Sequence, residues 1–176
     1  AGLEVFDVEQ LSTHGGSLRV YAQRAESTRF DTCESVFRLR DEEASLGVAS
    51  PAFYAGFQER SDRTKDDLMR FLVDAKREGR QLVGYGAAAK GNTLLNYAGV
   101  RPDLMAYVVD NNPAKQGMYL PGSRIPIVDE QRIVDDPPDI VLVLPWNIRD
   151  EVAQRLGSLN GWSGTVVTAV PELRVG

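Results

Sequence analysis

The sequence predicts an α/β protein: a Rossmann-like, doubly wound, mostly parallel sheet preceded by an antiparallel β-hairpin and helices. Three observations predict it. From Gln81 onward, short apolar runs alternate with helix-patterned stretches. Four or five such strands with helices between them imply a parallel sheet covered on both faces. The run QLVGYGAAAKGNT (81–93) reads as a strand end, a turn on glycines and the opening of a helix. The first 24 residues instead alternate apolar and polar about Gly15-Gly16, the pattern of a hairpin.

The elements follow in order. Leu3, Val5, Phe6 and Val8 form the first hairpin run, and Leu18, Val20 and Ala22 the second. That strand begins at once, with no Met, so the chain is expected to be the later part of a longer one. A polar link follows, and 41–46 reads as a short helix ending near Gly47. Ser50-Pro51 opens a further helix, with Ser as N-cap and Pro in the first turn, that runs to Gly79. Its later half puts Leu68, Phe71, Leu72 and Ala75 on one face. Its almost wholly polar middle, 59–67, is either solvent-exposed or a break. Then come strand 81–86, helix 88–98, strand 105–109 and a Gly/Pro-rich loop over 111–124. Strand 125–128, helix 129–134, strand 140–144, helix 148–158 and strand 165–167 complete the pattern. The expected strand order is 3-2-1-4-5.

Composition narrows the function. The chain has 176 residues, enough for one full core with a small appendage. A net charge of −5 argues against nonspecific nucleic-acid binding, which wants a basic face. No apolar run approaches the roughly 20 residues of a membrane span, and no signal peptide is read, so neither a membrane nor a nucleic-acid partner is expected. Cys33 stands alone, which favours a reducing, cytoplasmic setting. With one His and one Cys, no metal site is expected.

In a doubly wound sheet the ligand sits at the carboxyl ends of the strands, near the switch point. Three segments must meet there: the glycine turn with Gly84, Tyr85, Gly86 and Ala87, continuing to Lys90, Gly91, Asn92 and Thr93; Asp110, Asn111, Asn112 and Pro113 ending the second strand, with Lys115 beyond; and Pro145, Trp146 and Asn147 ending the fourth. A strand that turns on glycines into a helix leaves backbone N–H groups and the positive dipole end facing one spot, where phosphate binds. Lys90 in the first helical turn is unfavourable against the dipole unless an anion reverses the sign. Only four lysines accompany sixteen arginines, and two of them, Lys90 and Lys115, fall on this face. Either Asp110 or Asn111 accepts from a ribose hydroxyl, or Asp110 simply caps the turn at Asn112-Pro113. Trp146 either stacks on a base or sugar or closes the core edge. His14, in the hairpin turn with Ser17 and Arg19 nearby, has a near-neutral pKa without help, and the three could bind an anion together. No catalytic triad, metal-ligand set or acid–base carboxylate pair is found, so no catalytic residue is assigned.

Four ordered motifs, THGGSLRVYA (13–22), GYGAAAKGNTLLNYAG (84–99), VVDNNPAKQGMYLPGSRIPI (108–127) and VLPWN (143–147), resemble the C-terminal part of the S-adenosylmethionine-dependent sugar C-methyltransferases. Those transferases methylate a nucleotide-linked deoxy-keto-sugar in deoxysugar and antibiotic biosynthesis. The resemblance implies that 1–24 are the last two strands of an upstream methyltransferase domain of the same parent chain. It makes 25–36 a linker and 37–176 a Rossmann-like domain that binds the nucleotide sugar, a dTDP-sugar. S-adenosylmethionine and zinc would then belong to the full-length protein, with none in this fragment. The family's catalytic Tyr and His-Glu-His residues would lie before Ala1. By the same likeness, base and diphosphate lie against 84–93, 110–115 and 146–147, and His14, Ser17 and Arg19 face the sugar. The reaction implied for the parent is deprotonation alpha to a keto group, then attack of the enolate carbon on the methyl sulfonium. Two readings compete: an NAD(P)- or CoA-binding Rossmann module of a sugar-modifying or regulatory protein, which the DNNPxKxG pattern also resembles, and a Rossmann relic that binds nothing.

Overall fold

The computed structural model describes residues 1–13, 16–159 and 161–176. It divides into two compact units, Ala1–Gln58 and Glu59–Gly176.

In the first unit, β1 (Leu3–Leu11) and β2 (Ser17–Arg24) form an antiparallel hairpin with a register irregularity between Val5 and Asp7. Helix α1 (Glu34–Leu46) packs on β1, where the Ser35 hydroxyl donates to Asp7 Oδ1 at 2.6 Å and Val36 is buried. The helix ends at Gly47, whose φ of 74° gives its carbonyls a left-handed cap. Sequence patterning predicted only 41–46. The first turns escaped it because Val36 is the one buried residue on this helix, so no apolar stripe repeats. Leu3, Val5, Leu18 and Val20 on the hairpin are exposed.

The helix expected from Ser50 to Gly79 is split. Ser50 caps a 3-10 turn (Pro51–Tyr54), its Oγ accepting from the Ala52 N–H. Ala55 is then extended, with ψ 134°, and Gly56 takes φ 78°, which stops the helical path. Helix α2 (Phe57–Arg77) starts afresh. Its polar stretch 59–67 is helical and mixes exposed with half-buried positions, none of them buried, and Leu68, Leu72 and Ala75 form the buried stripe.

The second unit is built on a six-stranded sheet. Strands β3 (Leu82–Tyr85), β4 (Val108–Val109), β5 (Ile127–Val128), β6 (Ile140–Val143) and β7 (Thr165–Thr168) are mutually parallel. Their order is β5-β4-β3-β6-β7, which is the predicted 3-2-1-4-5. A sixth strand, β8 (Arg174–Val175), adds antiparallel to β7 and was not foreseen. Helices α3 (Ala89–Ala98), α4 (Gln131–Asp135) and α5 (Arg149–Gly157) lie between the strands.

Side chains alternate across the sheet. Leu82, Val108, Ile140 and Leu142 pack with Leu68 and Leu72 of α2 and Leu95 of α3. Val83, Val109, Val141 and Val143 pack with Ile133 of α4 and Val152 and Leu156 of α5. Every residue of β3 and β6 is buried, as central strands of a two-sided sheet require. Each such Val, Leu or Ile contributes about 1.5–3 kcal/mol by leaving water. That packing fixes the carboxyl ends of β3, β4 and β6 side by side. Among the described residues, no helix is long and apolar enough to cross a membrane.

Candidate functional site

Three glycines let the chain pass closely at the carboxyl end of β3. A Cβ on Gly84 would stand 2.8 Å from Val108 Cγ2, and one on Gly91 would stand 2.5 Å from Leu144 Cβ. Gly86 has φ 85°, and a Cβ there would meet the Pro145 ring at 2.6 Å. The turn is therefore a strand–helix junction pressed against the end of β6, with Gly91 letting α3 lie directly on Leu144.

Helix α3 opens without a side-chain cap at Ala88. The N–H groups of the first turn, at Ala89, Lys90 and Gly91, have no partner inside the helix. Lys90 leans across to the segment after β6, where Trp146–Ile148 form a 3-10 turn. Its ammonium donates to Asn147 Oδ1 and lies 4.6 Å from the centroid of the Trp146 ring. Two of the three predicted segments thus meet at one cation. Asn92 and Thr93 stay on α3: the Thr93 hydroxyl donates to Ala89 O, and Asn92 Oδ1 accepts from Asn96.

The third segment closes against the glycine turn from the β4 side. Asp110 is 9% exposed. Its Oδ2 accepts from the Ala87 N–H at 2.8 Å and from Lys115 Nζ at 3.0 Å, and its Oδ1 accepts from the Asn112 N–H at 2.9 Å. Lys115 Nζ also donates to Ala87 O at 3.0 Å. Burial alone would raise the Asp110 carboxyl, but the Asn112 N–H, Lys115 and the Ala87 N–H outweigh it and hold it below the usual range. These are the contacts of the turn-capping alternative, extended to fasten the β4 loop onto the glycine turn.

A second cluster lies at the ends of β3, β4 and β5. The Tyr85 hydroxyl donates to Glu130 Oε1 at 2.5 Å and accepts from Asn111 Nδ2 at 3.1 Å. Arg155 of α5 grips both Glu130 oxygens, at 2.6 and 2.7 Å, a two-pronged geometry that fixes orientation as well as charge. Burial, then the hydrogen bond and charge of Glu130, push the Tyr85 phenol up to about 12. The Arg155 hydrogen bonds hold Glu130 below its ordinary value against the opposing effect of burial.

In the first unit, the Ser17 hydroxyl donates to Thr13 O at 3.0 Å, and Arg19 forms an exposed pair with Glu9 at 2.8 Å. His14 lies outside the described residues. Among the described residues, no group of three His, Cys, Asp or Glu side chains could hold a metal ion.

Residues 12–171 match the family described as the C-methyltransferase C-terminal domain. The C-methyltransferase NovU of Streptomyces niveus is 32% identical over 174 residues, 99% of this chain and 41% of that protein. The chain belongs to the C-methyltransferase C-terminal domain family. It spans about two-fifths of the length of that curated relative.

Within this C-terminal domain, sequence reasoning missed Glu130 and Arg155, and it placed Pro145 at the site without its contact to Gly86. Glu130 follows the third parallel strand, at the sheet's carboxyl end, and that position is itself a usable signal. Arg155 reads only as a surface cation of an amphipathic helix. Its contact with Glu130, 25 residues away, exists only once α5 and α4 pack on the same face of the sheet. Pro145 follows Leu144 directly, and its approach to Gly86 is visible only in three dimensions.

Proposed function

We propose that this chain binds the nucleotide diphosphate sugar substrate of an S-adenosylmethionine-dependent C-methyltransferase, and that its parent works in deoxysugar or antibiotic biosynthesis. The observation that carries the reading is Lys90. It stands in the first turn of an uncapped helix at the carboxyl ends of β3 and β6, against Asn147 and the Trp146 ring. Three cues of nucleotide recognition coincide there: a helix dipole with free N–H groups, an ammonium, and an aromatic face. Family membership supplies the methyltransferase context.

The chain's own residues would bind and orient the substrate, which can lower a barrier by several kcal/mol when the reacting atoms are held in line. Methyl donor, zinc and catalytic groups are assigned to the parent's upstream part. The exposed Leu3, Val5, Leu18 and Val20 of the hairpin supply an apolar surface for an upstream domain to cover. The dinucleotide alternative is less favoured, because both Asp110 oxygens are already engaged by Ala87, Lys115 and Asn112.

A thermal-shift panel of dTDP, UDP, NAD, coenzyme A and S-adenosylmethionine tests the reading. A nucleoside diphosphate at 100 times its Kd is expected to add about 2.7 kcal/mol of stability, with no response to the other three. Lys90→Ala is expected to weaken dTDP binding about tenfold. A response to NAD or coenzyme A alone would favour the alternative, and none at all would sink both.

A further inference from the structure

The glycine turn is occupied by the chain itself at two points: the Asp110 carboxylate takes the Ala87 N–H, and the Pro145 ring stands where a Cβ on Gly86 would go. Beyond Trp146, on the β7 side, the space is open. The 3-10 turn after β6, the first turn of α5, the end of β7 and strand β8 line a cleft of about 740 Å3. Small-molecule sites commonly run from about 300 to 1,000 Å3.

The lining decides what fits. Trp146, Ile148, Pro171 and Val175 give apolar walls, and Asn147 and Thr168 give neutral polar groups. Arg149 and Arg174 also line the cleft, but Asp150 and Glu151 stand opposite in charge. Two cations against two anions make a poor trap for a diphosphate and a tolerable wall for a neutral heterocycle. One donor in that wall is unmatched. Arg149 gives Nη1 to Asp150 at 2.9 Å and Nη2 to the Gly176 carbonyl, yet its buried Nε has no acceptor among the described residues. A buried donor without a partner is unfavourable, so this wall is incompletely satisfied by the protein's own groups.

We infer that this cleft takes the nucleoside half of the ligand, with the base against Trp146. The diphosphate lies on the other side of the Trp146–Asn147 turn, at Lys90 and the α3 N-terminus. The Trp146 ring, within cation–π range of Lys90, is the wall shared by the two halves. This rests on the nucleotide-sugar reading above and adds to it a direction: the ligand runs from the glycine turn toward β7, not toward β4.

The test is calorimetric titration of the chain with dTDP and with inorganic pyrophosphate, repeated on Val175→Trp and Ile148→Trp. Both positions are partly exposed on the cleft wall, at 58% and 37%, so either can carry an indole that fills the cleft from a different side. If one variant fails to fold, the other serves. The expected result is at least a tenfold loss of dTDP affinity, with pyrophosphate affinity within twofold of the parent. Unchanged dTDP affinity in a folded variant, with Lys90→Ala still weakening it, overturns the cleft assignment and leaves the nucleotide-sugar reading standing. Equal loss of dTDP and pyrophosphate overturns the division of the ligand. A parent chain that binds no nucleoside diphosphate overturns both readings.

Discussion

Lys115 and Lys90 flank the same turn and are held by different partners. Lys115 ties Asp110 to the Ala87 carbonyl with two 3.0 Å contacts, and Asp110 is nearly buried. Removing the ammonium leaves that carboxylate with two backbone N–H donors and no counter-charge. Hydrogen bonds to charged groups are worth about 1.5–3 kcal/mol, so Lys115→Ala is expected to lower unfolding stability by about that amount. Lys90 is held by one side-chain carbonyl and a ring face, and such a cation–π contact is worth about 0.5–1 kcal/mol where solvent reaches it. Lys90→Ala is therefore expected to cost about 1 kcal/mol or less, its main effect falling on ligand affinity. Urea unfolding of the two variants in parallel measures the difference. A larger loss at Lys90 than at Lys115 would mean that the β4 loop does not hold the glycine turn. The sequence left Asp110 open between ribose acceptor and cap because both roles ask for the same residue type at the same place. The distances to Ala87, Asn112 and Lys115 show the cap.

Helix α3 shows how an element's geometry outweighs its propensity. Ala is favoured over Gly inside a helix by about 1 kcal/mol. At Gly91 a Cβ would stand 2.5 Å from Leu144 Cβ, an atom next to the backbone that cannot swing away. Overpacking of this kind costs about 1–3 kcal/mol, so Gly91→Ala is expected to destabilise. Gly157 in α5 meets nothing within 4 Å, so Gly157→Ala is expected to stabilise by about 0.4–1 kcal/mol. The pair is compared by denaturant midpoint, and stabilisation at both positions would refute the close approach of α3 to β6. The parallel sheet and its order were legible because buried strands such as 140–143 are wholly apolar runs between helix patterns. Strand β8 was not, since Arg174-Val175 is too short to show a period. The break at Ala55-Gly56 was hidden by helix-compatible residues on either side. Contacts such as Lys90 with Asn147, 57 residues apart, have no local trace; they were reached only by assuming where strand ends meet.

At the scale of the molecule, the second unit carries a set of shifted carboxyls that ties its stability to pH. Asp103, Asp110 and Glu130 all belong to it, and all three carboxyls are held below their ordinary values. For Asp103 the leading cause is the hydrogen bond from Lys76, and for Glu130 the one from Arg155. For Asp110, backbone N–H groups and Lys115 overcome burial. A carboxyl whose folded pKa lies below its unfolded value contributes stability at every pH above the unfolded value, near 4, and that contribution fades as pH falls through the folded one. Tyr85 has the opposite sign. Its folded value is pushed up to about 12, so its contribution is whole below about 10 and is lost as pH climbs toward 12. Stability of this unit is therefore expected to be level from about pH 5 to 9 as far as these groups are concerned, and to fall on both sides. Trp146 and Trp162 are the chain's two tryptophans and both lie in this unit, so their fluorescence in urea reports it directly. Glu130→Gln should shrink the acid fall, and Tyr85→Phe the alkaline one, each measured as the difference from the parent at the same pH. Because Tyr85, Glu130 and Arg155 form one hydrogen-bonded chain, the double variant should not show the sum of the two single effects. Strict additivity at both extremes would mean that the cluster does not act as a unit.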